Sequence, residues 1–276
     1  MKNPLSDYYR EKEIYVKLPT QGKWYKNKPN LNKDGEIGVR PMTLKDEMLL
    51  KIPDSLYNGE SLYEIFKSIV PDITDPYDIS IPDVDVILLA SKAVSTSNEL
   101  NVDATCPKCM HTTSYSINIP NMLSKIKTNI EGIDIEIKNL KIKLRPNTLA
   151  AVTASSIQTV ENAKIISSMS GEINPNNKEL MQRSLEKSTG ATIGLLADNI
   201  EQIELPSGSI VTDKQQIVEW LVNSDGATIN VLKKYTVGLN KNGLPTEFPF
   251  TCDNVECNHE FSSRIEFNPT FFFIVK

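Results

Sequence analysis

The four cysteines of the chain form two widely separated pairs, which constrain the fold more than any other feature. Cys106 and Cys109 stand in "CPKC", and Cys252 and Cys257 stand in "CDNVEC". Each pair follows extended-type sequence and precedes a His, then an alternating segment with an aromatic residue, Tyr115 after the first pair and Phe261 after the second. Two hairpin tips that each supply two thiolates are typical of a zinc ribbon. The sequence therefore predicts a four-cysteine ribbon that is split, because residues 110–251, with a helical insert among them, separate the two pairs.

Four thiolates would close the tetrahedral sphere of Zn²⁺, so we predict a structural ion without an open catalytic position. His111 and His259 each follow the second cysteine of a pair, and either could replace a cysteine as ligand. A disulfide is an alternative, but it needs an oxidising compartment. Redox catalysis by "CPKC" is a second alternative to a metal site. The thioredoxin-type motif opens a helix, however, whereas "CPKC" is flanked by extended sequence.

Composition and charge favour a globular protein with protein partners. The chain has 276 residues, of which 39% are hydrophobic and 24% charged, enough for a sizeable core. Its formal net charge of −5 disfavours a general nucleic-acid footprint, and the alternating "KIKLR" (141–145) is expected to be a strand with a solvated face. No apolar run approaches the ~18 residues of a membrane span, and the N-terminal residues are polar. We therefore expect synthesis in a reducing cytoplasm, where paired cysteines favour metal over disulfide.

The order of the predicted elements indicates an α+β fold in four parts. An N-terminal arm (1–13) precedes a mixed α/β part that contains the first zinc knuckle (14–147). A helical insert (148–242) follows. The C-terminal strands carry the second knuckle, which closes on the first (243–276).

Strands are predicted where polar and apolar residues alternate, and helices where apolar residues recur at helical spacing. The predicted strands and hairpins cover 14–19, 32–41, 98–106, 112–119, 133–146, 203–213, 243–252 and 259–267. The predicted helices cover 44–52, 60–70, 82–95, 121–128, 148–169, 176–203, 214–223 and 226–239. Thr43 and Asp46 resemble a capping box at the start of helix 44–52, and Leu44, Met48 and Leu49 are expected to share one face of that helix.

One short pattern occurs twice. "VRPMTLKDE" (39–47) and "LRPNTLAAV" (144–152) each combine a strand end, Arg-Pro-x-Thr-Leu and a helix start. Pro fixes the turn and Thr caps the helix, so the pattern favours a shared turn over a binding role for Arg40 and Arg145. Five residues do not establish a duplication.

No catalytic constellation emerges from the sequence. Both histidines stand beside cysteines, so a His-based triad is hard to build, and the chain has no phosphate loop, G-x-G-x-x-G or G-x-S-x-G. Asp83 and Asp85 stand at a helix start, where the helix dipole explains them. We therefore predict no catalytic residue, no small-molecule substrate and no organic cofactor.

Several sequence segments are distinctive in combination: "VKLPTQGKWY" (16–25), "GEIGVRPMTLKDEMLLKIPDSLYNGESLYEIFKSIV" (35–70), "DVDVILLASKAVS" (83–95), "CPKC" and the terminal "FTC…C…HEF…NPTFFF". Together they resemble the T4-type phage baseplate hub family, named after a hub subunit of contractile-tailed phages. The resemblance covers residues 14–124 and, more loosely, the C-terminal segment. The chain has Met110 where zinc knuckles often have Gly.

The resemblance implies a virion structural protein in the central baseplate hub, made in the host cytoplasm, with other baseplate and tail hub proteins as partners and without catalysis. An assembly factor absent from the mature virion is the alternative within the same system. A zinc-ribbon nucleic-acid or transcription-associated protein is the alternative from another class. A metal-dependent hydrolase would need water bound to the ion.

Both ends of the chain carry residues that suit burial. "NPTFFFIVK" (268–276) is expected either to complete the protein's own core or to dock on a neighbouring subunit, because three consecutive Phe are costly to expose. Residues 1–12 are expected to form an arm that orders on a partner, with Tyr8 and Tyr9 as anchors.

Overall fold

The expected α+β class is confirmed. The computed structural model describes residues 3–50, 59–95, 97–167, 175–241 and 243–265, and it combines helices with small antiparallel sheets. Within these ranges, none of the helices has both the length and the hydrophobicity that a membrane span requires. The C-terminal segment 268–276 lies outside the described residues, as do the predicted ends of helices 44–52 and 148–169.

The elements follow the predicted order closely. The strands are β1 Ile14–Lys17, β2 Glu36–Val39, β3 Glu99–Thr105, β4 Thr112–Asn118, β5 Ile133–Ile137, β6 Leu140–Leu144, β7 Ile200–Glu204, β8 Ile210–Val211, β9 Glu247–Thr251 and β10 Glu260–Arg264. The helices are α1 Leu44–Leu50, α2 Glu60–Ile69, α3 Ile81–Ser95, α4 Ile119–Leu123, α5 Leu149–Ser167, α6 Pro175–Asn199, α7 Lys214–Val222 and α8 Gly226–Asn240, with 3₁₀ turns at Pro4–Tyr8 and Pro76–Asp78.

The strands form three two-stranded antiparallel hairpins and one larger sheet. The hairpins are β1–β2, β3–β4 and β9–β10, and the larger sheet has the order β5-β6-β7-β8. An isolated two-stranded hairpin is marginally stable in water, so each hairpin needs packing or cross-linking from elsewhere.

The first hydrophobic core surrounds α3. This helix is apolar on most of its circumference, and Ile87, Leu88 and Leu89 are fully buried. Further members come from the β1–β2 hairpin, α2 and α4: Val16, Leu18, Ile37, Val39, Ile65, Phe66, Ile69, Ile119 and Met122. This core lies at the base of β3, through Leu100, and near the start of β9, through Leu244.

A buried carboxylate lies inside the first core. Asp83 Oδ1 accepts a hydrogen bond from the Thr20 N–H at 2.9 Å, and its Oδ2 accepts from the hydroxyls of Thr20 and Tyr25, the latter at 2.9 Å. Burial nevertheless outweighs these donors and raises the pKa of Asp83 to about 6.

The second core lies between the four-stranded sheet and the helices α6, α7 and α8. Its buried members are Ile135, Ile142, Leu144, Ile193, Leu196, Ala197, Ile200, Ile203, Ile217, Leu221, Leu232 and Leu239. Strands from 133–144 and from 200–211 therefore share one sheet, although a long helical hairpin separates them in the chain.

The helix predicted over 176–203 ends earlier, at Asn199, and residues 200–204 form β7. The Asn199 side chain donates to the Arg145 carbonyl and accepts from the Thr236 hydroxyl at 2.8 Å. Its carbonyl accepts from the Arg145 N–H at 2.8 Å. These bonds replace helix continuation, and the apolar spacing of Ile200 and Ile203 suits either conformation.

The capping box of α1 is confirmed, and the side of α1 that carries Leu44 and Met48 faces solvent. Thr43 N–H donates to Asp46 Oδ2 at 2.8 Å, and Asp46 N–H donates to Thr43 Oγ1 at 3.2 Å. Leu44 and Met48 are 74% and 59% exposed, whereas Asp46 is buried. Arg10 Nη1 lies 3.2 Å from Asp46 Oδ2, and this pairing turns the acidic face of α1 inward.

The helix predicted over 121–128 forms earlier, as α4. The Asn118 side chain accepts from the Asn121 N–H at 2.9 Å, and Pro120 occupies the first turn. This cap starts the helix as soon as β4 ends.

The repeated Arg-Pro-x-Thr turn has a structural role at both places. Arg145 Nη2 lies 2.8 Å from Asp198 Oδ1, and the Thr148 N–H donates to Asp198 Oδ2 at 2.8 Å. At the first turn, the Arg40 N–H donates to the Ile69 carbonyl at 2.8 Å. The contacts of Asp198 support the shared-turn interpretation over a binding role for Arg145, and the backbone bond of Arg40 ties the first turn to the end of α2.

Candidate metal centre

The first cysteine pair occupies the turn of the β3–β4 hairpin. The strands pair without interruption up to Thr105 opposite Thr112, so the hairpin delivers residues 106–111 as one tight turn. Within it, the Cys106 N–H donates to the His111 carbonyl and the Met110 N–H donates to the Cys106 carbonyl, both at 2.9 Å.

The second pair occupies the turn of the β9–β10 hairpin in a similar way. Thr251 pairs with Glu260, and the Cys252 N–H donates to the His259 carbonyl at 2.9 Å. The longer Cys-x4-Cys spacing is absorbed around Asn254, whose carbonyl accepts from the Cys257 N–H at 2.9 Å. The two turns are therefore similar in backbone bonding despite their different lengths.

Both turns need a left-handed residue after the second cysteine. Met110 has φ 59° and Asn258 has φ 41°. Asn tolerates this conformation better than most residues, whereas Met occupies it at a cost of about 1–2 kcal/mol. The missing glycine at position 110 therefore does not prevent the knuckle turn.

The structure brings all four predicted cysteines together. Their Sγ atoms all lie within 4.8 Å of one another, with Cys106 3.9 Å from Cys257 and Cys109 3.6 Å from Cys252. A disulfide would place two sulfurs about 2 Å apart, and all four cysteines are free thiols. A Zn–S distance near 2.3 Å gives a sulfur–sulfur edge of about 3.8 Å in a tetrahedron. The Cys106–Cys257 and Cys109–Cys252 distances match this edge, so the four thiols could hold a tetrahedral metal ion.

The protonation of the thiols is unequal. Burial opposes charge on Cys106, but N–H groups of Cys109 and Lys108 outweigh it and lower the pKa of Cys106 to about 7. Burial and the neighbouring thiols raise the pKa of Cys252 to about 12 and also raise that of Cys257. The protein alone thus lowers the pKa of Cys106 and raises the pKa of Cys252 and of Cys257, and a bound cation would favour the thiolate form of its ligands.

The two histidines are not among the converging donor atoms. His111 Nε2 lies 3.3 Å from Asp253 Oδ1, across the two knuckles. His259 contributes its carbonyl to the second turn. Within the described residues, the converging set consists of the four cysteines.

Contacts below the cluster hold the two hairpins side by side. The rings of Tyr115 and Phe250 are 4.6 Å apart between centroids, and Phe261 lies 6.0 Å from Phe250. The Thr113 hydroxyl donates to Asp253 Oδ1 at 2.7 Å. Sequence reasoning singled out Tyr115 and Phe261 but missed Thr113 and Asp253, which have no motif that signals a cross-hairpin contact.

The comparison with protein families decides what kind of protein has this architecture. The model of the family described as T4 bacteriophage base plate protein matches residues 12–273. The chain belongs to this family. Membership implies a structural role in a phage tail baseplate, a location there and contact with other phage baseplate proteins. The search of curated proteins and the search of solved structures found no match.

Proposed function

We propose that the chain is a structural subunit of the central hub of a contractile-tailed phage baseplate, and that one Zn²⁺ ion stabilises it. The ligands would be Cys106, Cys109, Cys252 and Cys257. The observation that carries the proposal is the convergence of these thiols at the tips of two hairpins far apart in the chain. Family membership supports the baseplate role, and the resemblance of residues 16–25 and 35–70 supports the hub.

The proposed ion acts as a cross-link. Four thiolates leave no position for water, so the ion supplies binding free energy rather than chemistry, on the order of 10 kcal/mol in small zinc domains. In the described sheets, β9 and β10 pair with each other in a two-stranded sheet, and this hairpin packs on the first core through Phe248. Zinc would cross-link the tip of the β9–β10 hairpin to the β3–β4 hairpin. The aromatic contacts of Tyr115, Phe250 and Phe261 hold the strands of the two hairpins together below the tips.

We propose that the chain is organised as the arm 1–13, the mixed part 14–147, the insert 148–242 and the closing strands 243–276. Splitting the ribbon allows the insert to leave and return between two hairpins held together at their tips. The sheet shared by 133–144 and 200–211 attaches the insert to the mixed part. Arg10, paired with Asp46, anchors the arm and leaves Tyr8 and Tyr9, 85% and 60% exposed, as the proposed partner anchors.

The proposed role is non-enzymatic. A depression of about 470 Å³ lies on the sheet near Lys141, Lys143 and Glu204. Both lysines that line it are paired: Lys141 Nζ lies 2.9 Å from Glu204 Oε1, and Lys143 Nζ lies 3.5 Å from Oε1 of Glu201, which lies outside the lining. Exposed ion pairs of this kind suit a solvated sheet face better than acid–base chemistry.

Two measurements test the proposal. Mass spectrometry of purified virions is expected to detect the chain in stoichiometric amounts, whereas an assembly factor would be missing from them. Elemental analysis of the purified, reduced protein is expected to give one zinc per chain. A folded, reduced chain without metal would refute the zinc part of the proposal.

The nucleic-acid alternative has less support. The two knuckle segments, 103–111 and 252–260, contain four carboxylates and one lysine. This acidic excess opposes a phosphate backbone. A salt-sensitive gel shift with the purified protein would favour that alternative.

A further inference from the structure

We propose that the paired knuckle tips form a docking surface for another baseplate protein, one that presents an apolar recess bordered by lysine or arginine side chains. The inference rests on the proposed baseplate role and specifies the surface through which that role is exerted. We call this surface the knuckle face and define it by Met110, Val255, Asp253, Glu256 and Glu260.

The centre of the knuckle face is apolar. Met110 is 73% exposed and Val255 is 94% exposed. Each stands within three residues of a cysteine whose Sγ belongs to the converging cluster, so each of the two paired knuckles carries one of them. Neither belongs to the two described cores, and large apolar side chains left exposed on paired turns are typical of contact sites.

Folding alone would favour a different residue at position 110. Met110 has φ 59°, and the corresponding residue of the second knuckle, Asn258, has φ 41°. Asn adopts this left-handed conformation at a lower free-energy cost than Met does. The second knuckle thus has Asn258, which suits the left-handed turn, whereas the first knuckle has Met110, which exposes a long apolar side chain to solvent.

The charge around this centre identifies the kind of partner. Asp253, Glu256 and Glu260 are exposed in the second knuckle, and Asp103 is exposed beside the first. The two knuckle segments contain one lysine, Lys108, so the acidic side chains are in excess. Four thiolates around a divalent cation would add two negative charges. An acidic rim around an apolar centre complements a recess bordered by basic side chains and repels a nucleic acid.

The test compares capture of phage tail proteins during infection. A tagged chain would be expressed in infected host cells, and the tail proteins that co-purify would be identified and quantified by mass spectrometry. The double variant Met110→Asn, Val255→Ser is expected to lower their capture about tenfold or more, as for loss of a central apolar anchor. Its metal content and thermal midpoint are expected to match the parent, because Asn suits the turn. The control Met181→Gln, Val222→Ser changes residues that are 60% and 62% exposed on α6 and α7, and it should capture as the parent does.

A charge-reversal variant and the rate of methionine oxidation in the complex complete the test. Glu256→Lys and added salt should each reduce capture, whereas Glu64→Lys on the exposed side of α2 should not. In the purified complex, Met110 should be oxidised by peroxide more slowly than in the free protein, whereas Met48 and Met181 should be unchanged.

Each contrary result has its own meaning. Equal capture by the Met110 and Val255 variant overturns the docking surface and leaves the baseplate role intact. Capture of no tail protein by the parent chain overturns both proposals. Protection of Met110 in the free chain would mean that the chain covers its own tip, and capture of a second copy in place of a tail protein would mean self-association. Either result overturns the assigned partner.

Discussion

The Sγ atoms of Cys109 and Cys252 lie 3.6 Å apart although residues 110–251 separate them in the chain. An ion bound at this place would close a very long loop, and its contribution to folding would depend on all four thiols. Because the contact joins the two hairpins at their tips, its loss affects the C-terminal hairpin first.

Cys252→Ser is expected to abolish tight zinc binding and to lower the thermal midpoint by about 10 °C or more, because the cross-link between hairpins is lost. Elemental analysis and calorimetry measure the two effects. The parent protein stripped with a chelator should melt near the variant. A variant that retains one zinc per chain would contradict the four-thiolate site.

His111→Ala and His259→Ala are expected to retain one zinc per chain. Neither imidazole belongs to the converging donor set, and His259 contributes through its carbonyl, which the substitution preserves. Spectra of Co²⁺-substituted protein check the ligand set, since four thiolates and three thiolates with one imidazole absorb differently. Loss of metal in either variant would instead assign that histidine as a ligand.

Phe250→Ala is expected to lower the free energy of unfolding by about 3 kcal/mol, because the buried ring contacts Tyr115 and Phe261 between the two hairpins. Urea unfolding of the zinc-loaded protein measures this change. Phe250→Leu, which keeps most of the apolar volume, should cost about 1 kcal/mol. Equal stability of the alanine variant and the parent would mean that the metal alone holds the hairpins.

Asp198→Ala is expected to destabilise the protein by about 3 kcal/mol, because the Thr148 N–H loses its acceptor and the Arg145 guanidinium loses its carboxylate partner. The exposed pair of Glu179 and Arg183 on α6 provides the control. Glu179→Gln should change the free energy of unfolding by less than about 0.5 kcal/mol. Equal effects of the two substitutions in urea unfolding would contradict the role assigned to Asp198.

The sequence was informative wherever a local signal had a single physical meaning. Pro82 and the dense apolar run of 83–95 predicted the buried helix α3, and the Thr43–Asp46 spacing predicted a cap that the structure contains. The cysteine pairs, with extended flanks, predicted hairpin tips that could meet. In each case the decisive contacts are local or follow from a strong ligand chemistry.

The sequence was uninformative wherever a residue far away in the chain decides the local conformation or the burial of a side chain. Residues 200–204 could continue a helix, and the contacts of Asn199 with Arg145 and Thr236 make them a strand. Asp46 turns inward because Arg10 reaches it from the arm. Pairings across such separations leave no periodic pattern in the sequence.

The buried carboxylate of Asp83 is expected to give the stability of the protein a distinct pH dependence. Its pKa is about 6 in the folded protein, raised by burial, against about 3.9 in an unfolded chain. Between these values the folded state binds more protons than the unfolded state, so the free energy of unfolding decreases as pH rises from about 4 to about 6. The change is on the order of 3 kcal/mol and levels off above about pH 6. Asp83→Asn removes this titration but keeps the metal site, so the difference between parent and variant in urea unfolding isolates the effect. A difference that is constant from pH 4.5 to 7 would show that the Thr20 and Tyr25 hydrogen bonds outweigh burial.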